Sequence, residues 1–282
     1  MTMSTNRLLA LFSLVAISGV LAGTTPAAAI TFGALDGQQH PYVGTMLADA
    51  DPNSPGLDVI CSGTLIADPV SKPVFLTAAH CTSYLEWLGI TRVWVTFAPG
   101  WDENSSSTDT AALGLIGGSY VTNPLFAGSN AGNPWDTAVV LLDSAPADVT
   151  PARLPSAGLL DALTSDHTLL GQQVTTVGYG CGRDMKQKGP GALFCDTQRR
   201  AASESALSVH GDWLHLSQNP ATGDGGTCFG DSGGPHFLGD GTSNLVVSTS
   251  VSGDRFCRAS DQSLRLDTSS ARDFLQAFVR LP

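Results

Sequence analysis

The chain contains the stretch Gly226-Thr227-Cys228-Phe229-Gly230-Asp231-Ser232-Gly233-Gly234-Pro235. Glycines on both sides of Ser232 permit backbone angles that other residues rarely adopt, and they leave the hydroxyl accessible to an approaching peptide backbone. The same glycines free successive backbone N–H groups to point at an oxyanion. An ordinary glycine-rich turn does not need ten consecutive residues of this kind. The stretch therefore predicts a reactive serine.

Two earlier segments place a histidine and an aspartate at the ends of apolar runs. His80 follows Leu76-Thr77-Ala78-Ala79, and a histidine with an ordinary pKa of about 6.5 can act as a general base at neutral pH. Asp136 is the only charge ahead of the apolar run that ends at Leu142, and a carboxylate entering a core is costly without a partner. Taken alone, His80 would be an ordinary strand-end histidine and Asp136 a turn or capping residue.

Together the three segments resemble the chymotrypsin/trypsin-like serine protease family, in the same chain order of His, Asp and Ser. The separations are also similar, with 56 residues from His80 to Asp136 and 96 more to Ser232. The resemblance implies that Ser232 is the nucleophile, His80 the general base and Asp136 the residue that orients the imidazole. The N–H groups of Gly230 and Ser232 would form the oxyanion hole.

The same resemblance implies an all-β fold of two packed antiparallel six-stranded β-barrels with a C-terminal helix. The chain composition agrees, because only 14% of residues are charged while 31 are Gly and 16 are Pro, which favours short strands and tight turns. Apolar or β-branched runs predict the individual strands, and helical spacing near the end predicts a helix. These segments are Thr64–Ile66, Val74–Thr77, Thr91–Phe97, Thr137–Leu142, Gln173–Tyr179 and Asn244–Val251 for strands, and Ser269–Val279 for the helix. Exposed loops are expected at Asp102–Thr110, with a glycosylation sequon at Asn104, and at Gly182–Gly191.

The first 29 residues have the three parts of an export signal. Arg7 supplies a positive charge, the following run to Ala22 is almost wholly apolar, and Ala27-Ala28-Ala29 gives a cleavage site. An apolar run of about 15 residues is short of the ~20 needed to span a bilayer. We therefore expect a signal peptide at residues 1–29 and a secreted, extracellular protease domain at residues 30–282. Cleavage would change the formal net charge from −11 to −12, because Arg7 is lost.

The mature start carries a second implication of the resemblance. In the family, a free N-terminal Ile or Val places its ammonium beside the Asp that precedes the nucleophile, which here is Asp231. Ile30-Thr31-Phe32-Gly33 resembles that start and follows directly after the signal site. We hypothesise that signal peptidase itself creates the activating terminus. The alternative is cleavage one or two residues earlier, followed by trimming.

Six cysteines follow the signal segment, and an even number in an exported chain predicts three disulfides with fifteen possible pairings. The resemblance implies a bridge beside the histidine and another beside the specificity pocket, which leaves two cysteines for the third. These pairs are Cys61–Cys81, Cys228–Cys257 and Cys181–Cys195. The third departs from the commonest family pattern, in which a cysteine stands near Leu238. No C-x-x-C pair is present, so no metal site is expected.

The specificity pocket is where the sequence departs most from trypsin-like members. The resemblance places Gly226, followed by Thr227, at the pocket floor, where those members hold an Asp. Gly253 would leave one wall open, and the strand that ends there would pair with the substrate backbone. Asp261 either enters the pocket from the opposite wall or is a solvated loop aspartate, and the sequence favours the solvated loop.

Two departures affect residues beside the catalytic site. The family usually has Ser where Val251 stands, as a partner of the catalytic Asp, and Trp where Ser252 stands. Losing that hydroxyl leaves Asp136 with fewer donors, without requiring a loss of catalysis.

The leading hypothesis is a monomeric secreted serine endopeptidase that acts on proteins or peptides through an acyl-enzyme and is open to protein inhibitors. No cofactor is expected, and no membrane association remains after signal cleavage. The excess of 25 acidic over 14 basic side chains, with a pI of about 4.7, argues against a nucleic-acid partner. One alternative is a protease-like binding protein that has lost catalysis. Another is an esterase that uses the same triad.

Overall fold

The computed structural model describes residues 30–51, 56–67, 69–103, 110–128, 132–183 and 193–282. The expected signal peptide at residues 1–29 and the sequon at Asn104 lie outside the described residues. Most of the expected loop Gly182–Gly191 also lies outside them. No helix within the described part of the chain has the length and apolar character that crossing a membrane requires.

The described residues form thirteen β-strands and three short α-helices. In chain order the strands are Ala34–Leu35 (β1), Val43–Ala48 (β2), Asp58–Ile66 (β3), Val74–Thr77 (β4), Val93–Thr96 (β5), Ile116–Thr122 (β6), Ala138–Leu142 (β7), Gln173–Gly178 (β8), Arg200–His210 (β9), Trp213–Ser217 (β10), Pro235–Leu238 (β11), Val246–Gly253 (β12) and Ser260–Arg265 (β13). The helices are Ala79–Trp87 (α1), Leu159–Ser165 (α2) and Ser269–Leu275 (α3).

Strands β2 to β7 close a first antiparallel barrel in the order β2-β3-β4-β7-β6-β5. Strand β4 is buried along its whole length, because it pairs with β3 on one side and with β7 on the other. Gly63 of β3 is needed where the barrel wall is tightest, since a Cβ there would lie 2.4 Å from the carbonyl oxygen of Leu76. The close packing fixes the end of β4, from which the chain enters α1.

Strands β8 to β13 form the second barrel, in the order β9-β10-β13-β12-β11-β8, and β8 pairs with β9 to close it. Strand β1 is added at β9. The core is built from apolar side chains of the strands, of α2 and of the segment between α2 and β8. They are Leu160, Leu169, Val174, Ala206, Leu214, Leu216 and Val247.

The all-β prediction with two six-stranded barrels and a C-terminal helix is confirmed. Each predicted strand overlaps an observed one, and Val74–Thr77 has the predicted bounds. The last helix ends at Leu275 rather than at Val279, because Val279 forms a β-bridge with Pro69 and the carbonyl of Phe278 accepts the N–H of Val70. Helices α1 and α2 were not predicted.

The three disulfides are those that the resemblance implied. Cys61–Cys81 ties β3 to α1, Cys181–Cys195 closes a loop after β8, and Cys228–Cys257 ties the serine loop to the loop after β12. No cysteine of the chain is free.

Candidate active site

The histidine and aspartate of the first barrel lie against each other. Strands β4 and β7 pair with Thr77 opposite Ala138, so the residues just beyond β4 and just before β7 come together. Asp136 Oδ2 is 2.8 Å from His80 Nδ1, and Oδ1 accepts the His80 backbone N–H, also at 2.8 Å. A carboxylate at Nδ1 requires a proton there, which leaves Nε2 as the basic nitrogen.

Burial separates the roles of these two side chains. The Asp136 side chain is 3% exposed, whereas that of His80 is 20% exposed. The Asp136 carboxylate is therefore shielded from solvent and hydrogen-bonded to His80, whereas the His80 imidazole remains accessible to a ligand.

Ser232 lies in a tight loop that enters β11. The Asp231 N–H donates to the Cys228 carbonyl, and the Gly234 N–H donates to that of Asp231. Gly233 has a φ of 75°, and a Cβ on it would lie 2.3 Å from Thr77 Oγ1. The serine loop of the second barrel is therefore packed against the segment that immediately precedes His80. Ser232 itself is half-buried.

The two N–H groups expected to form the oxyanion hole are both available. Gly230 has a φ of 96°, a conformation that favours glycine. Within the described part of the chain, neither the Gly230 nor the Ser232 N–H donates a hydrogen bond to another protein group. The carbonyls of both residues are held by Ser62, since its Oγ donates to Gly230 and its N–H to Ser232. Ser62 thus holds the loop through its carbonyl groups, which leaves the N–H groups of Gly230 and Ser232 free to bind an oxyanion.

Asp231 is a fully buried carboxylate that no neighbouring cation neutralises. Its oxygens accept the N–H groups of Gly180, at 2.8 Å, and of Cys228, at 2.9 Å. No Lys, Arg or His of the described residues lies within ion-pair distance of it. Burial outweighs the two N–H donors and raises the pKa of Asp231 to about 7. A cation beside this carboxylate would therefore be strongly stabilised.

The predicted mature N-terminus, Ile30, lies beside the segment of the second barrel that contains Gly226. Ile30 is completely buried. The next residue, Thr31, exchanges two backbone hydrogen bonds with Gly226, at 2.7 and 2.9 Å. The segment is thus held next to the polypeptide that carries Asp231 and Ser232.

A cavity of about 250 Å³ opens beside Ser232. Of the four predicted pocket residues, Thr227 and Gly253 line it. Gly226 and Asp261 do not line it. The Thr227 hydroxyl donates to Asp261 Oδ2 at 2.7 Å, so Asp261 lies behind the pocket wall.

The favoured interpretation of Asp261 as a solvated loop residue is wrong. It lies within β13 and is only 1% exposed. Its position is explained by His236, whose Nε2 is 2.9 Å from Asp261 Oδ2.

Sequence reasoning missed two members of this buried cluster. His236 Nε2 also lies 3.1 Å from Glu204 Oε2, and all three side chains are excluded from solvent. Burial and Asp261 raise the pKa of Glu204, whereas the two carboxylates raise the pKa of His236 against the effect of burial. Glu204 is the only charge between Arg200 and His210, and a lone charge in a strand is the signal that could have found it.

Among the described residues, two groups of side chains have donor atoms close enough to hold a metal ion. Cys61 and Cys81 with His80 form one, but both sulfurs are consumed by a disulfide. The other is Glu204, His236 and Asp261. His236 Nε2 is hydrogen-bonded to Asp261 Oδ2 at 2.9 Å and lies within ion-pair distance of Glu204 Oε2, so a protonated imidazole accounts for this geometry.

Two closed barrels with a carboxylate-oriented histidine and a glycine-flanked serine at their junction define the serine-protease fold class. The chain belongs to the Trypsin family, whose sequence profile matches residues 35–263. No curated protein sequence matches the chain.

Solved structures with the same fold include the HL collagenase, with a TM-score of 0.60 and 17% sequence identity over 88% of this chain and 96% of the other. Human heparin binding protein is similar, with a TM-score of 0.59 and the same identity and coverage. A mutant of that human protein gives a TM-score of 0.60. At this identity the structural likeness establishes the fold alone, and it includes both a hydrolase and a binding protein by name.

Proposed function

We propose that this protein is a secreted serine endopeptidase that cleaves peptide bonds through an acyl-enzyme. One observation carries the proposal: Asp136 engages His80 Nδ1 while the Ser232 loop is packed against the strand end that leads into His80. His40 and His236 also contact buried carboxylates, but both side chains are buried. The His80 side chain is 20% exposed, and the segment just before it contacts the Ser232 loop.

The chemistry follows from the roles of these groups. Ser232 Oγ attacks the substrate carbonyl carbon and gives its proton to His80 Nε2, while Asp136 stabilises the resulting imidazolium. The oxygen that becomes negative is bound by the N–H groups of Gly230 and Ser232. His80 then protonates the leaving amine as the C–N bond breaks. Water, deprotonated by His80, hydrolyses the Ser232 ester and restores the enzyme.

Strand β12 supports a peptide rather than a simple ester as the substrate. Its pairing with β11 ends at Thr249, so among the described residues no strand pairs with residues 251–253 on that side. On the other side, Ser252 and Gly253 pair with β13. Ser252 and Gly253 are exposed beside the cavity at Ser232. An extended substrate could therefore pair with this free edge and place its side chain in the pocket.

Activation by the Ile30 ammonium belongs to the same proposal. Asp231 is buried with two N–H donors and a raised pKa, and the segment after Ile30 is paired with Gly226. Signal cleavage before Ile30 would supply the missing cation and couple secretion to activity. Sequencing the N-terminus of the secreted protein tests this step, and a stable active form that starts elsewhere would contradict it.

The experiment that tests the proposed function compares the purified secreted protein with its Ser232→Ala variant on an unfolded protein substrate. The matched control is Ser208→Ala, because Ser208 is exposed on β9, away from the site. We expect cleavage by the wild type and the control and none by Ser232→Ala. Equal cleavage by all three would locate the activity elsewhere.

A binding function without catalysis is the competing outcome, and it rests on the structural likeness to human heparin binding protein. It predicts no cleavage by the wild type and an inert Ser232. Binding of a polyanion such as heparin is disfavoured here by the formal net charge of −11.

A further inference from the structure

Gly226 has no side chain, but a carboxylate lies beside it, behind the residues that line the cavity. A Cβ built on Gly226 would lie 2.1 Å from Glu204 Oε1 and 2.4 Å from Gln218 Cγ. The space that a side chain at 226 would need is therefore already filled by Glu204, which comes from β9. Glycine is required at 226 because any larger residue would displace that carboxylate.

From this replacement we infer that Glu204 is the specificity-determining carboxylate of the pocket and selects a cationic Lys or Arg side chain at P1, the residue whose carbonyl is attacked. The inference rests on the proposed endopeptidase function. It reverses the expectation, drawn from Gly226, that the pocket has lost its obvious acidic partner.

The unpaired acceptor oxygens around Glu204 favour a substrate side chain that carries several hydrogen-bond donors. Glu204 Oε1, Gln218 Oε1 and Asp261 Oδ1 are buried, and they accept no hydrogen bond of normal geometry from the described residues. A buried acceptor without a donor is costly. A guanidinium or ammonium group brings several N–H donors and no acceptor, so it meets this shortage.

Two residues connect this layer to the cavity. Thr227 lines the cavity, and its hydroxyl gives its proton to Asp261 while receiving the Gln218 amide at 3.3 Å. Towards a substrate the hydroxyl can therefore only accept. A Cβ on Gly253, in the opposite wall, would lie 3.5 Å from Gln218 Nε2. Gln218 Nε2 is a donor, so the buried acceptors lie behind the wall formed by Thr227 and not behind Gly253.

The cluster of Glu204, His236 and Asp261 contains two carboxylates and one histidine, so one additional positive charge could be accommodated beside it. His236 supplies at most one positive charge against the carboxylates of Glu204 and Asp261. Burial and the neighbouring Asp261 raise the pKa of Glu204 more than His236 and the backbone of Thr227 lower it. A cationic P1 side chain would complete the balance.

The first test uses the wild-type enzyme, so it does not depend on the folding of a variant. Peptide substrates that differ only at P1 would carry Arg, Lys, Leu or citrulline, the neutral near-isostere of arginine. We expect kcat/KM for Arg to exceed that for citrulline by about 10- to 100-fold, as a charge-assisted hydrogen bond would give. Equal rates for Arg and citrulline would overturn the inference.

The second test assigns the preference to Glu204. In Glu204→Gln the preference for Arg over citrulline should fall about 10-fold or more, while kcat/KM for Leu changes little. The control is Glu103→Gln, because Glu103 is exposed and outside the pocket. A loss that is equal for all four substrates would mean a structural role and would overturn the assignment.

Titration of Ser232 with a serine-directed organophosphate separates this inference from the proposed function. A reactive Ser232 without any Arg preference defeats only the role of Glu204. An inert Ser232, with no cleavage of any peptide, defeats the proposed function itself.

Discussion

Three histidines of the described residues lie against carboxylates, His40, His80 and His236. His80 and His236 belong to different barrels, and their environments differ. His80 has a single carboxylate on Nδ1 and keeps 20% of its side chain exposed. His236 is completely buried, and its Nε2 lies between Glu204 and Asp261. Only the first arrangement leaves a ring nitrogen that can exchange a proton with a ligand in the cavity.

The difference shows that a histidine–carboxylate contact does not by itself define a catalytic site. At His80 the Asp136 carboxylate orients the ring. It would also stabilise the positive charge that the imidazole gains when it accepts a proton during the reaction. At His236 two carboxylates raise the pKa and fix the charged form. The buried cluster should therefore act through stability, and it should not transfer protons during turnover.

The largest expected effect follows from removing the first histidine. His80→Ala should lower kcat/KM by about 10⁴-fold, because both the general base and the partner of Asp136 are lost. Its free energy of unfolding should fall by less than that of His236→Ala, since the His80 side chain is 20% exposed and Asp136 still accepts the backbone N–H of residue 80. Kinetics with a single peptide substrate and urea unfolding measure the two quantities. The control is His210→Ala, at an exposed position of β9, and a similar loss there would contradict the role of His80.

The reverse pattern is expected for the second histidine. His236→Ala should lower the free energy of unfolding by about 3–5 kcal/mol, because it leaves two buried carboxylates without their cation. Urea unfolding in a Ser232→Ala background, which prevents self-digestion, measures this loss. If the variant does not fold, Glu204→Gln/Asp261→Asn/His236→Ala should recover soluble protein. A stable His236→Ala variant with lost activity would mean that the two histidines had been assigned the wrong roles.

A smaller, pH-dependent effect is expected at Asp231. Its pKa is raised from 3.8 to about 7, so the folded protein without a nearby cation binds a proton that the unfolded chain releases. The contribution of this group is therefore most favourable at acid pH and is lost as the pH rises towards 7. Two forms of the protein are compared, one that starts at Ile30 and one with a single residue added before it. Between pH 5 and pH 8, the free energy of unfolding of the extended form should fall by roughly 2–3 kcal/mol more than that of the form that starts at Ile30.

This comparison isolates Asp231 because Glu204 and His236 titrate in both forms and cancel. Urea unfolding of the two forms at the two pH values, again in a Ser232→Ala background, gives the difference. Parallel pH curves would show that the Ile30 ammonium does not meet Asp231, and the proposed activation would then be wrong.

The strands and the contact between His80 and Asp136 near the Ser232 loop could be predicted because the segments that carry them are recognisable in the local sequence. Glycines around Ser232, the apolar run that ends before His80 and the single charge at Asp136 are visible without any knowledge of neighbours. Strand β4 was predicted with its observed bounds because it is apolar throughout and lies in the middle of a barrel wall. Helix α1 was missed because only Ala78 separates it from β4, so no turn residues mark the boundary.

The pocket floor could not be predicted, because it is assembled from distant strands. Glu204, His236 and Asp261 are separated by 32 and 25 residues, and only the closure of β9, β11 and β13 into one barrel brings them together. The sequence placed Asp261 in a solvated loop because the turn that precedes it is polar. Strand pairing buries it instead, with Asp261 opposite both Gly253 and Leu216.

Reaction with a serine-directed organophosphate tests the central claim most directly, since it requires no knowledge of the substrate. The folded wild-type protein should take up one label per molecule, and peptide mapping should place it on Ser232. Urea-unfolded protein and His80→Ala should remain unlabelled under the same conditions. A folded protein that takes up no label, or takes it up on another residue, would contradict the assignment of Ser232 as a nucleophile activated by His80.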